Sequence, residues 1–453
     1  MRNALRLPLF VAVAVALGAT GVVTSFESAT NPSRLPSGLA VSMNAESTAL
    51  YCTGVSAHPG RHGRVSFYNT STASRRLSVS VVSDTGHTFA TSIELAGHAS
   101  QSIEPSVVDQ GNNFAVAVQV SGGGVVGEEI GGSLTTEVPC AAAGVTHWYA
   151  TGFNTLVGSS AYLSVYNPTA TSAVLNVSIY TAAGFSAPQS YQGLSVPAHA
   201  QREIDLGTEV VNTANVGVGV TVLRGSIVAV GVQSANNVVS LDAGVASATS
   251  ETWFPLVTTA QGATAQIRVA NPNHQRANVT LDVALGTYHV VPQTLSLAPF
   301  SSGLINVTPN SAIPAAGYAN LTLHSNVPVV SALATGTKTW IALSSPVTPG
   351  NAFLVNDFTD VGFGAATVTN TSSRPITVDV SSYLSSTLQV VRDVGAIKLT
   401  GGQTESLFLT IPSFSITPSE TYLVSSATPS MVVSLTLPTR PPGVYVVAPL
   451  DGR

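Results

Sequence analysis

Apolar and small polar residues alternate along most of the chain beyond residue 47, and the alternation itself repeats. Residues 161–180, AYLSVYNPTATSAVLNVSIY, read as two strands with side chains pointing alternately inward and outward, joined by an Asn-Pro turn. Versions recur as VSFYNTSTASRRLSVSVV from Val65, IRVANPNHQRANVTLDVA from Ile267 and ATVTNTSSRPITVDVSSY from Ala366. The turn residues Asn69, Asn167, Asn271 and Asn370 lie 98, 104 and 99 residues apart. Each follows an opening aromatic, Tyr51, Tyr149, Phe254 or Phe353, by 17 or 18 residues. Midway in each unit a short strand ends in a turn at His98, His199, Phe300 or Gly402, and a second alternating strand follows. A final pair of strands, expected to be a hairpin, closes the unit with Val126, Val228, Val330 and Val432 in register.

Strand-length segments separated by Gly, Pro, Asn and Asp at this spacing predict antiparallel sheets packed face to face. The expected fold is all-β: a tandem array of four immunoglobulin-like β-sandwich modules of about 100 residues. The boundaries are 48–144, 145–249, 250–349 and 350–453. Residues 241–251 and 337–350 carry their own apolar alternation and are expected to add a strand rather than form hinges, giving a semi-rigid rod. The repeated Asn is read as a turn former, since its side chain bonds the backbone two residues on and it tolerates left-handed geometry.

Before the array stand MRNALR and an apolar run from Leu7 to Val23. A basic head and an apolar body predict an export signal or a retained signal anchor over residues 1–25, followed by a linker over 26–47. The rest of the chain is then extracytoplasmic, in the cell envelope or secreted, with the membrane reached through the N-terminal segment. In that compartment Cys52 and Cys140, which bracket the first repeat, are expected to form a disulfide; two buried thiols are the other reading.

Composition narrows function mainly by exclusion. Charged residues make up 9% of the chain and apolar ones 44%, and the net charge of −5 gives no field to gather nucleic acid. Gly122-Gly123-Gly124-Val125-Val126-Gly127 satisfies GxGxxG, but a phosphate cradle needs a helix after it, and Glu128-Glu129 followed by strand pattern reads as a glycine hairpin. His58 and His62 are four apart with Pro59 and Gly60 between them, which excludes the helix that would align them on a metal. The close acid pairs are Glu128/Glu129, Glu203/Asp205 and Asp357/Asp360. Strand spacing puts Glu203 and Asp205 on one face, as a glycosidase needs, but edge-strand protection explains them more simply. No catalytic residue, cofactor or metal site is assigned. Trp148, Tyr149, Trp253 and Phe254 begin their modules and could either enter the core or stack on sugar. The sequons at Asn69, Asn176, Asn278, Asn306, Asn320 and Asn370 follow from strands rich in Ser and Thr.

One resemblance bears on location. Trp148-Tyr149-Ala150, then Asn167-Pro168, Tyr180-Thr181-x-x-Gly184 and Val196-Pro197-Ala198-His199, resemble an exported actinobacterial family of β-repeat proteins of unknown function. The similarity is strongest over residues 145–249, continues at Trp253-Phe254 and Asn271-Pro272, and weakens in the outer modules, where Asn69-Thr70 and Asn370-Thr371 replace Asn-Pro. It implies an envelope-associated protein and brings no catalytic residues. The expected role is non-enzymatic, structural or adhesive. Binding an envelope polysaccharide, or serving as accessory subunit to an envelope-building enzyme, are the alternatives.

Overall fold

The computed structural model describes residues 47–56, 63–69, 71–97, 99–109, 111–130, 137–235, 238–259, 262–285, 288–313, 318–336, 341–344, 352–356, 364–384, 390–409, 420–428, 430–436, 444–446 and 449–450. The export segment, the 26–46 linker, His58, His62, His98, Asp357 and Asp360 lie outside them.

The first set of strands is β1 (Ser47–Ser56), β2 (Arg64–Asn69), β3 (Arg75–Ser83), β4 (Thr88–Leu95), β5 (Ser100–Ile103), β6 (Asn113–Ser121), β7 (Val125–Ile130) and β8 (Glu137–Pro139). They pair as two antiparallel sheets, β1-β6-β3-β4 and β5-β2-β7-β8. The second set is β9 (His147–Phe153), β10 (Ser159–Tyr166), β11 (Ala173–Thr181), β12 (Gly184–Ser186), β13 (Leu194–Val196), β14 (Gln201–Asp205), β15 (Val216–Arg224), β16 (Val228–Ala235) and β17 (Val238–Asp242). Its sheets, β12-β11-β15-β9 and β14-β10-β16-β17, repeat the same order. In the third set, β18 (Thr249–Thr258), β19 (Thr264–Asn271), β20 (Ala277–Leu285), β21 (Tyr288–His289), β22 (Gln293–Leu297) and β23 (Ser301–Thr308) precede one long strand, β24 (Tyr318–Gly336), and then β25 (Ile341–Ser344). The first part of β24 pairs with β18 and β20, and its last part with β19 and β25, so it passes from one sheet to the other. The fourth set pairs Ala352–Asn356, Glu420–Ser426, Ile376–Leu384 and Val390–Leu399 in one sheet. Its second sheet pairs Thr404–Leu409, Gly364–Asn370, Met431–Thr436 and Val444–Val446.

Strand formation follows the side chains. In β11, Ala173, Leu175, Val177 and Ile179 are buried while Val174, Asn176 and Ser178 between them are partly exposed, the two-residue period of a half-buried strand. Each core is drawn from both sheets of its set: Leu50, Val79 and Phe114 meet Val65 and Phe67 in the first. Leu175 and Val218 meet Leu163 and Ile204 in the second, and Leu281 and Leu321 meet Ile267 and Ile305 in the third. Each fully buried Leu or Phe contributes about 1.5–3 kcal/mol.

Two expectations need correction. The closing strands are not hairpins: β6 pairs with β1 and β3, whereas β7 pairs with β2 and β8. The glycine turn Gly122–Gly124, all at positive φ, therefore carries the chain from one sheet to the other. Alternation marks a strand but says nothing of its partner. The aromatic register also slips by one residue in the third set. Tyr149 lies opposite Gly219, which faces Ser178, eleven residues after the turn Asn. The third-set residue in that place is Trp253, opposite Thr322, while Phe254 points into the core.

The register of the turn-preceding valines holds throughout: Val126, Val228, Val330 and Val432 each lie opposite the residue just before the turn Asn. The 337–350 connector adds a strand, β25, to the third set; β17 ends just as the 241–251 connector begins.

Candidate functional site

The turn asparagines do more than form turns. All four are fully buried. Asn167 Oδ1 accepts from the backbone N–H of Thr169 (2.9 Å) and from its hydroxyl (2.7 Å). Its Nδ2 donates to the carbonyls of Thr171 (2.8 Å), Val196 (3.0 Å) and Pro197 (3.0 Å), tying the Asn-Pro turn to the turn after β13. Asn69 reaches Ala73, Leu95 and Ala96, Asn271 reaches Gln275 and Ala298, and Asn370 reaches Arg374, Leu399 and Thr400. The clamped turn is tight enough to hold His199 and Phe300 at φ 53° and Gly402 at φ 73°. These clamps are structural, and burial withholds the sequons at Asn69 and Asn370 from any modifying enzyme.

Polar chemistry concentrates instead where one set meets the next. A bulge interrupts the first strand of three sets, at Thr53-Gly54 in β1, Thr151-Gly152 in β9 and Pro255-Leu256 in β18. An extra residue there bends the strand and turns a carbonyl out of the ladder. The Ser164 hydroxyl and, at 3.4 Å, Gln201 Nε2 donate to the freed Thr53 carbonyl, and Gln201 also donates to Ser164 Oγ (2.8 Å). Tyr162 donates to Asn113 Oδ1 (3.2 Å), while Asn113 Nδ2 donates to Glu203. The Tyr51 and Tyr166 rings meet at 5.9 Å beside Val82 and Ala115.

The second seam uses equivalent positions with different residues. Arg268, three residues before Asn271 as Ser164 is before Asn167, donates from Nη1 to the Gly152 carbonyl at 2.8 Å. Its Nη2 reaches Gln266 Oε1 at 3.1 Å, its Nε has no partner, and burial lowers its pKa to about 10, so it stays charged at neutral pH. Ser302 Oγ donates to the Asn215 carbonyl (2.6 Å). Tyr149 and Tyr180 pack on Ala270 and Val330, and a Cβ on Gly217 would stand 2.7 Å from that of Ala270, so only glycine permits this approach. Burial, then the neighbouring phenol, raises Tyr166 and Tyr180 to about 12.

Replacing Arg268 with alanine leaves the Gly152 carbonyl without its donor and opens space in the seam, a cost of about 2–4 kcal/mol. Hydrogen exchange should quicken in β9 and β19 first; unchanged exchange there would show the contact to be idle.

The predicted residues are placed as follows. Cys52 and Cys140 form a disulfide, with Cα atoms 4.5 Å apart and both residues buried. Trp148 is buried in the second core and donates from Nε1 to the Ala243 carbonyl (2.8 Å), Phe254 is buried in the third, and Tyr149 is packed in the seam. Trp253 is partly exposed on the side of β18 away from the third core, the register place that Tyr149 holds in the second set. Glu203 and Asp205 do share a face, but Glu203 takes the Asn113 amide across the seam, and Asp205 accepts from Gly207 N (2.8 Å) to start a short turn. Burial, then Asp84 and Asp205, raises the Glu203 pKa. Among the described residues no group of three or more His, Cys, Asp or Glu could hold a metal ion, and no helix is long and apolar enough to cross a membrane.

Sequence reasoning missed Arg268, and it named Glu129 only as half of a close acid pair, not as a seam residue. Their signal was the contrast between repeats. Arg268 stands where the second repeat has Ser164. Glu129, opposite Val65, stands where the second and third repeats have Gly231 and Leu333.

No curated protein matches this chain. A Thermotoga maritima protein, 1070, is similar over 21% of this chain and 89% of its own, at 18% identity and a TM-score of 0.19. A tetra-tandem repeat from the extending region of a large adhesion protein covers 88% of this chain and 97% of its own, at 12% identity and a TM-score of 0.12. At those scores neither establishes a shared fold. Residues 129–336, which contain the second set, the third set through β24 and the seam between them, match the model of a family of unknown function, DUF5719.

Proposed function

We propose that this is an exported, non-enzymatic protein of the cell envelope, built from four immunoglobulin-like β-sandwich modules and acting structurally or adhesively. The modules are residues 48–144, 145–249, 250–349 and 350–453, held to the membrane by residues 1–25 or released from it. What carries the reading is the use made of polar side chains. The turn asparagines and the seam residues Asn113, Glu203 and Arg268 are committed to holding strands and sets together. The disulfide supports an extracytoplasmic location. The expected partner is an envelope polysaccharide or an envelope protein.

Fractionation with protease shaving of intact cells tests this. The chain should sit in the envelope fraction and be cut from outside; recovery in the cytosol would end the proposal. A second reading, glycan binding, rests on Trp253. In that case soluble envelope glycan competes for binding of the full chain and Trp253→Ala weakens it by about tenfold, the loss of roughly one stacked ring. Retained binding in that variant favours a protein partner, including an envelope-building enzyme to which this chain is accessory.

A further inference from the structure

The first repeat alone puts an acid where its relatives have no charge. Glu129 on β7 faces inward, opposite Val65, and is fully buried. The same register position is Gly231 in the second repeat and Leu333 in the third. In the second, the Phe153 ring fills the space above Gly231, so close that a Cβ there would lie 2.2 Å from it. The first repeat has the smaller Val55 in place of Phe153, and the carboxyl occupies the space the ring leaves. A fold that works with Gly or Leu at this point does not require an acid there.

The carboxyl is joined to the seam through the β1 bulge. Its Oε2 accepts from Gly54 N at 2.7 Å and from the Thr53 backbone. The carbonyl of the same Thr53 takes the Ser164 and Gln201 hydrogen bonds from the second set. A Cβ on Gly54 would stand 2.8 Å from Val230, 3.2 Å from Leu241 and 3.4 Å from Glu129 Oε1, so the bulge lies between the carboxyl and the second set. Oε1 has no hydrogen-bond partner.

We propose that Glu129 is a proton-operated latch on the seam between the first and second sheet sets: the neutral carboxyl holds the bulge closed, and the carboxylate releases it. Among the described residues, the elements around the carboxyl bring no compensating charge. They contribute Thr53 and Gly54 from β1, Val65 from β2, Val138 from β8, Val230 from β16 and Leu241 from β17. Strand alternation turns the neighbouring ionisable residues Arg64, Glu128 and Asp242 to the opposite faces. Burial raises the Glu129 pKa from 4.5 to about 8, with the Gly54 and Thr53 amides pulling the other way. Because the closed state binds the proton more tightly than the open one, its advantage is complete below pH 4.5 and drains away as pH rises through about 8.

Hydrogen exchange on the full chain, corrected for the intrinsic pH dependence of exchange, reads the latch. Protection of residues 50–56, 160–166 and 228–241 should fall with rising pH, by up to about tenfold per pH unit across this range. Residues 264–308 should show no such slope. Glu129→Gln, which cannot ionise, should flatten the slope at the seam, and so should Glu129→Leu, the third repeat's residue. A slope that survives either substitution overturns the latch. So does a flat profile in the unaltered protein, which decides the matter even where a variant fails to fold.

Discussion

Asn167→Ala should destabilise the second sheet set by about 3–5 kcal/mol, the largest effect expected of any single side chain that is neither charged nor apolar. Three carbonyls, those of Thr171, Val196 and Pro197, lose their donor at once, and the Thr169 amide and hydroxyl lose their acceptor. Burying one unsatisfied polar group costs about 1–3 kcal/mol, and water reaching the partly buried ones keeps the total below a simple sum. Asn167→Asp separates the two halves of the clamp. It preserves an acceptor for Thr169 but sets a second oxygen against the carbonyls, so it should be at least as damaging at neutral pH and milder in acid, where the protonated carboxyl regains one donor. Denaturant unfolding followed through Trp148, buried in the same core, measures both. A loss under about 1 kcal/mol for Asn167→Ala would mean that strand pairing alone holds the two turns together.

Opening the Cys52–Cys140 disulfide should cost the first set about 4–5 kcal/mol in the chain-entropy model, because the bridge closes a loop spanning 88 residues of separation. It links β1 to the residue after β8, and the two chains also exchange backbone hydrogen bonds between Tyr51 and Ala141 at 2.8 Å each way. Reduction, or Cys52→Ala with Cys140→Ala, should therefore lower the unfolding midpoint of the first set most. Loss of order there should also weaken the seam at Thr53, one residue from the bridge, while the third and fourth sets keep their protection. Limited proteolysis under reducing and oxidising conditions reads this set by set. Equal cutting under both would show the first core holding without its bridge. Equal loosening of all four sets would show the chain unfolding as a single cooperative unit.

The sequence by itself showed the recurring pattern, the strand content and the turn positions, and pointed to the Cys52–Cys140 bridge as the first of two readings. Each depends on local chemistry: two-residue alternation for a half-buried strand, Asn-Pro or Asn-Thr for a turn, two thiols bracketing one unit. It could not assign strands to sheets. Residues 113–130 alternate as a hairpin would, yet β6 and β7 join different sheets, because which edge a strand pairs with depends on chain far away in sequence. The one-residue slip between Trp253 and Phe254 was hidden for a similar reason. Both are large and apolar, and only the pairing of β18 with β24 shows which of them faces out. The seams were the least legible part. Ser164 and Arg268 have nothing in common as residues, and what makes them equivalent is a bulge carbonyl, Thr53 or Gly152, delivered to each from the preceding set. A buried charge and a buried acid look like surface residues in a linear chain; only packing takes the water away and gives them work to do.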